Sequence, residues 1–221
     1  MPEINLLRAL PATKRNIKKR SEAKNPSVIA AAKQFGEKYF DGPRELGYGG
    51  YRYDGRWKPV ARDIIDHFGL KPGMRVLDVG CAKGFLVKDL MCECPGLEAF
   101  GLDISSYALT HCEPEVIGRL HLGTAEDLPF PNASFDALLS INTIHNLDRP
   151  SCIRALKEMA RVCRQPHNCF VQVDAYRTLE EKLLFEGWCL TAITYLTPAE
   201  WIQLFDQAGF KGDYYWTILE A

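Results

Sequence analysis

From residue 75 onward, short apolar runs alternate with stretches whose apolar side chains recur every three or four positions. The runs at 75–79, 99–103, 120–123, 136–141 and 168–174 have the length of strands and carry few charges, as strands covered on both faces do. Strands alternating with helices predict an α/β fold: a doubly wound, mainly parallel sheet with helices on both faces and right-handed crossovers. Upstream, Val60, Ile64, Ile65 and Phe68 share one helical face within 59–68, and Lys71-Pro72-Gly73 ends that helix in a turn. The last helix has the clearest boundaries. Thr197-Pro198-Ala199-Glu200 reads as a capping box with proline at the first helical position, Trp201, Leu204, Phe205 and Ala208 form the apolar stripe, and Gly209 stops it. A closing strand follows at about 213–219.

The 221 residues suit one such domain preceded by an extension. The expected division is a basic arm and aromatic, glycine-rich lid over 1–58, then a ligand-binding domain over 59–221. Composition changes little: 47% hydrophobic residues, 25% charged and a formal net charge of -1 describe an ordinary soluble protein rather than a disordered, fibrous or strongly nucleic-acid-binding one. None of the cysteines forms a CxxC pair, and Cys92-Glu93-Cys94 with His111-Cys112 matches no standard zinc spacing. Buried thiols in a reducing compartment are therefore expected, with no metal. No apolar run is long enough to span a bilayer, and the N-terminus lacks a charged-then-apolar signal pattern, so a cytoplasmic location is expected. Lys14, Arg15, Lys18, Lys19, Arg20 and Lys24 make the arm basic, as a solvated helix face or a flexible arm; no aromatic residues are interleaved there for stacking on bases.

Candidate chemistry begins where the first strand ends, in "VLDVGCAKGF". A glycine-rich turn between strand and helix lets a ligand approach the backbone and leaves helix-terminal amides free to bind it. A dinucleotide fingerprint would read G-x-G-x-x-G, whereas Gly80, Ala82 and Gly84 follow one another at two-residue steps behind Asp78. That carboxylate would repel a pyrophosphate but suits an ammonium group, which counts against a nicotinamide-dependent oxidoreductase.

Asp78-Val-Gly80-Cys-Ala82-Lys-Gly84 resembles the first motif of the class I S-adenosylmethionine-dependent methyltransferases, with alanine at 82 where the common form has glycine. The added methyl fits if that residue keeps φ below zero. Further matches follow in order over about residues 59–210. Asp103 ends the second strand about 20 residues past the turn, where an acidic residue would hold ribose hydroxyls. Gly123-Thr-Ala125-Glu126-Asp127 is similar to the family's adenine-contacting stretch, and Ser140-Ile-Asn142-Thr-Ile-His145 to the segment lining the cofactor sulfur and the acceptor. The resemblance implies a Rossmann-like fold, S-adenosylmethionine as cofactor, and a cofactor site of Asp78, Gly80, Ala82, Gly84, Asp103, Ala125, Glu126 and Asn142.

The implied reaction is in-line transfer of a methyl group. His145, after the fourth strand, is the first candidate for a base and a tyrosine of the N-terminal segment the second. That segment interleaves Tyr39, Phe40, Tyr48, Tyr51, Tyr53 and Trp57 with five glycines. Two readings fit it: a lid over cofactor and acceptor, with Tyr39, Tyr51, Tyr53 and Trp57 facing the site, or a surface loop packed on the first helix. The Asn/Asp-Pro-Pro-aromatic sequence of amino-methylating DNA enzymes and the paired-glutamate loop of protein arginine methyltransferases are both missing, so a small-molecule acceptor is expected, with residues 178–197 covering it and no nucleic acid or membrane as partner. A non-catalytic partner subunit of the same fold is the alternative. The family usually ends in an antiparallel strand pair, yet only about a dozen residues follow Gly209. Either the sheet is one strand short or 190–197 supplies an edge, and an exposed edge would allow a homodimer.

Overall fold

The computed structural model describes residues 1–11 and 15–219. Lys14, named above in the basic arm, lies outside them. The chain first forms three short helices, α1 (Ile17–Ala23), α2 (Pro26–Ala32) and α3 (Glu37–Phe40), then α4 (Lys58–Phe68). The sheet elements follow as β1 (Arg75–Val79), α5 (Phe85–Glu93), β2 (Glu98–Asp103), α6 (Ser106–Thr110), β3 (Leu120–Leu122), β4 (Ala137–Ile141), α7 (Arg149–Val162), β5 (Cys169–Asp174), α8 (Leu179–Trp188), α9 (Pro198–Ala208) and β6 (Asp213–Thr217). The strands lie in the order β3-β2-β1-β4-β5-β6, and every ladder between them is parallel. This is the expected doubly wound α/β fold.

Alternation along each strand divides the core. Leu77 and Val79 of β1 join Leu138, Val171, Met159 of α7 and Trp201 and Phe205 of α9 on one face. Val76 joins Ala99, Leu139, Phe170, Ile64 of α4 and Leu90 of α5 on the other. Both helix layers thus press on strands that are hydrophobic front and back. The strand order reverses between β1 and β4, so the connections leaving their carboxyl ends diverge and open a crevice there.

The ends of the sheet depart from the sequence expectation. Residues 190–197 form no edge strand; Leu196 makes only an isolated parallel bridge to Ala175. The antiparallel pair is absent among the described residues, and β6 runs parallel beside β5. Its outer edge meets the N-terminus instead: the Ile4 N–H donates to the Tyr214 carbonyl at 2.8 Å, and the Tyr214 N–H donates to the Pro2 carbonyl at 3.3 Å. The edge considered for self-pairing therefore has part of its backbone already bonded by the same chain. The basic arm is likewise not a free arm: the Lys24 Nζ donates to the carbonyls of Glu186 and Cys189 next to α8.

α9 has both capping-box hydrogen bonds between Thr197 and Glu200, and Gly209 closes it at φ 68°. It also steadies the end of β5, because the buried Trp201 Nε1 donates to the Asp174 carbonyl at 3.0 Å. Trp201→Phe should orphan that carbonyl and lower unfolding free energy by about 1–3 kcal/mol, read by denaturant titration.

Candidate active site

The turn after β1 is built by close approach. Gly80 has φ 88°, and a Cβ added there would lie 1.9 Å from the Thr143 Oγ1 across the crevice. Only glycine fits. The Gly80 N–H and Cys81 N–H donate to the Leu102 carbonyl, which ties the turn to β2. Ala82 has φ 50°, so the condition that it keep a negative φ is not met. Its methyl group sits in the left-handed region, a conformation costing roughly 1–2 kcal/mol in an ordinary residue. A specific bond holds it there: the Ala82 N–H donates to the Asp103 Oδ2 at 2.7 Å. Gly84, φ 74°, then caps α5 at its N-terminus.

Two carboxylates converge on this turn. Asp103 is buried and accepts from the Ala82 N–H and, at 2.8 Å through Oδ1, from the Ser105 N–H. Burial raises its pKa and the backbone donors oppose that rise. Asp78, 5% exposed, has no such offset. Burial first and the Asp103 charge second push its pKa up to about 7, and no hydrogen bond among the described residues counters them. A buried carboxyl left without a donor is one that a cation would stabilise.

A cavity of about 160 Å³ opens beside the turn. Gly80, Ala82, Asp103, Ala125, Glu126 and Asn142 line it from the sheet side, so six of the eight expected cofactor residues meet in one place. Glu126 lines the wall while its carboxylate is held by Ser151 and Arg154, which keep it below the usual range. Asn142 adopts φ 55° at the end of β4. The Gln172 Oε1 accepts from the Asn142 N–H at 2.8 Å, and the Gln172 Nε2 donates to the Thr217 Oγ1 at 2.8 Å. One buried side chain thus fixes Asn142 against both β5 and β6.

The roof comes from the N-terminal segment. Phe35, Tyr39, Phe40 and Tyr48 line the same cavity from above. Tyr51 stacks on Phe85, the first residue of α5, at 4.7 Å between ring centroids. Asp41 clamps the segment down: its carboxylate accepts from the Lys83 Nζ at 2.7 Å, the Tyr107 hydroxyl at 2.8 Å and the Tyr51 N–H at 3.1 Å. Burial works against ionisation of Asp41, yet these donors hold it below its ordinary value. Lys83, an unremarked member of the turn sequence, is therefore what joins roof to floor. Tyr53 has a different place from the one expected. Its hydroxyl donates to the Asp89 Oδ1 at 2.5 Å, outside both cavities, and fastens the segment to the flank of α5.

A second cavity, about 590 Å³, adjoins the first, with Tyr39, Tyr48 and Asn142 lining both. Tyr51 and Trp57 border it, as do His145 and Asp174 at the ends of β4 and β5. His145 is buried, and Asp174 occupies both its nitrogens: the Asp174 N–H donates to Nδ1 at 3.1 Å, and the Asp174 Oδ2 lies 3.4 Å from Nε2. A ring whose Nδ1 accepts carries its proton on Nε2 when neutral, and no lone pair remains for an acceptor. His145, the first candidate for a base, thus has the Asp174 N–H on its Nδ1 and the Asp174 carboxylate beside its Nε2. Burial raises the pKa of Asp174, with the His145 charge opposing. Sequence reading passed over Asp174, although an acid ending an apolar strand, "FVQVD", was a signal for it.

With this geometry in place, relatives are informative. The family described as "Methyltransferase domain" matches residues 77–168. A demethylmenaquinone methyltransferase of Symbiobacterium thermophilum is 29% identical over 155 residues, 66% of this chain and 60% of that protein. A probable tRNA methyltransferase 9B of Mus musculus is 36% identical over 108 residues, 48% of this chain and 22% of that one. The crystal structure of the cyclase SpnF superposes with a TM-score of 0.55 at 16% identity, covering 91% of this chain and 74% of that one, and shows the shared fold. Residues 77–168 thus match a methyltransferase domain, in line with the resemblance that the motifs carry. The chain spans 60% of the first relative's length and less of the second.

The raised pKa of Asp78 predicts a pH-dependent affinity for a cofactor whose ammonium it would pair. Pairing with an ammonium requires the ionised form, whose folded pKa stands near 7 without ligand, so S-adenosylhomocysteine affinity should be full above about pH 7 and fall up to about tenfold per unit below it. Calorimetry across pH reads this, and Asp78→Asn should weaken binding and flatten the dependence. Asp103 and the Tyr51 and Cys81 side chains also feel the Asp78 charge or lie in its field, but Asp103 is the other acid of the site, so Asp103→Ala serves as the companion variant.

Proposed function

We propose that this protein transfers a methyl group from S-adenosylmethionine to a small-molecule acceptor held in the larger cavity. The buried, unpartnered Asp78 carboxyl beside the glycine turn carries the cofactor half of this reading. S-adenosylmethionine supplies a methyl group already activated on a sulfonium. The chain's own task is then to hold an acceptor in line and exclude water, and positioning of that kind is worth about 7–11 kcal/mol in well-oriented systems. Asp78 takes the ammonium, Asp103 the ribose hydroxyls through its remaining lone pairs, and Ala125 and Glu126 flank the base. Gln172 keeps Asn142 fixed between the two cavities, and the Asp41 clamp keeps the aromatic roof closed over them.

Asp174 is the base in this scheme for an acceptor that starts protonated. Its carboxylate borders the acceptor cavity, burial raises its basicity, and the His145 Nε2–H orients it. His145 is then a positioning residue. The small-molecule acceptor is supported by cavity size, since about 300–1,000 Å³ is the usual range for such ligands.

Calorimetric titration with S-adenosylmethionine tests the reading first. Binding that Asp103→Ala abolishes supports it, and no binding by the wild-type chain sinks it. With an acceptor in hand, Asp174→Asn should cut turnover about 10²–10⁴-fold while leaving cofactor affinity near wild type. His145→Gln should cost less and shift the pH profile of turnover; an unchanged profile would remove the orienting role. Methyl incorporation into tRNA in place of small molecules would overturn the acceptor class.

A further inference from the structure

The larger cavity is charged in a way the methyl transfer itself does not require. Arg20, Arg44 and Arg15 place their guanidinium carbons 4.4, 5.3 and 5.9 Å from the centroid of one indole, that of Trp188 at the end of α8. All three border the cavity that contains Asn142 and Asp174. The cluster also walls a third cavity of about 310 Å³, bordered by Arg20, Arg44 and Trp188 together with Lys19 and Glu45.

Among the described residues no carboxylate oxygen lies within 4 Å of these guanidinium groups, although the charges of Asp174 and Glu45 reach Arg15 and Arg20. The Arg20 guanidinium donates to the carbonyls of Arg44 and Gly47, and the Arg44 guanidinium to the carbonyls of Gly47 and Tyr48. The closest ion-pair partners of the nearby acids lie outside the cluster: Lys19 for Glu45, Arg56 for Asp54 and His145 for Asp174. Burial first, and then the like charge of Arg44, lower the pKa of Arg20. Repulsion among guanidinium groups on one ring is a cost that folding alone does not recover, and an oxyanion would remove it. Planar forks stacked on an aromatic face are the residue geometry that binds carboxylate and phosphate oxygens bidentately.

We infer that the Arg20–Arg44–Trp188 cluster is a binding site for the oxyanion, carboxylate or phosphate, of a small-molecule acceptor whose reacting end reaches toward Asn142 and Asp174. This deepens the methyl-transfer reading and rests on it for the word acceptor, but anion binding at the cluster is measurable without cofactor. The probes are 4-hydroxybenzoate, phenyl phosphate and the neutral 4-hydroxybenzamide, titrated into the full chain while the indole N–H resonances of ¹⁵N-labelled tryptophan are followed, with Trp188 assigned from Trp188→Phe.

A saturable shift of the Trp188 resonance with either anion and none with the amide supports the site, and whichever anion acts defines the source of the oxygens. Arg20→Gln and Arg44→Gln should each weaken that binding by about tenfold or more, and Arg20→Lys less. No Trp188 shift with either anion, or an equal shift with the amide, overturns the proposal from the wild-type chain alone, so it stays testable if a variant does not fold. S-adenosylhomocysteine titrated into the same samples separates the two readings. Anion binding without cofactor binding would spare the oxyanion site and sink the methyltransferase activity, and the reverse would do the opposite.

Discussion

Two acids buried at the carboxyl ends of β1 and β2, with no cation among the described residues to answer them, are the constraint around which the site is arranged. Keeping Asp103 ionised at its depth takes backbone amides, and those amides come from Ala82 and Ser105. The unusual backbone of the turn, with Ala82 at positive φ, is thus tied to the same carboxylate that would hold a ribose. Asp78 receives no such help, and burial pushes its pKa up. Around the larger cavity, guanidinium groups gather on Trp188.

Much of this was legible in the sequence because it depends on local order. Strand runs, the capping box at Thr197, and the two-residue glycine steps each declare themselves within a few residues, and Asp103 follows at the interval a β-α-β unit imposes. What was not legible depends on residues distant in sequence. The Tyr53 hydroxyl finds Asp89, the Gln172 side chain bridges Asn142 to Thr217, and Asp174 closes on His145, pairs that no periodicity reports. The sign of φ at Ala82 belongs to the same class, since it follows from a bond to Asp103 rather than from alanine's own preference.

The N-terminal segment shows how a loop rich in glycine becomes an ordered roof. Its glycines let the backbone reverse at Gly49 and Gly50, while the aromatic rings pack on one another: Phe40 stacks on Tyr48 and on Tyr107 of α6. The Asp41 clamp adds direction to that burial. A carboxylate receiving three donors from the glycine turn, α6 and the roof itself is a single fastening whose release would free all three together.

The pairing of Ile4 with Tyr214 sets an order of events in synthesis. Residues near the start of the chain form a parallel bridge with the last strand, and Lys24 reaches carbonyls 162 and 165 positions downstream. Contacts of such separation form late, since the entropy of closing the intervening loop must be overcome before they return any energy. On the ribosome the β1 turn can fold as soon as β2 and β4 have emerged, but the arm has nothing to dock on until α8 and β6 follow. The glycine turn and the roof clamped to it are therefore made early, and the arm docks last.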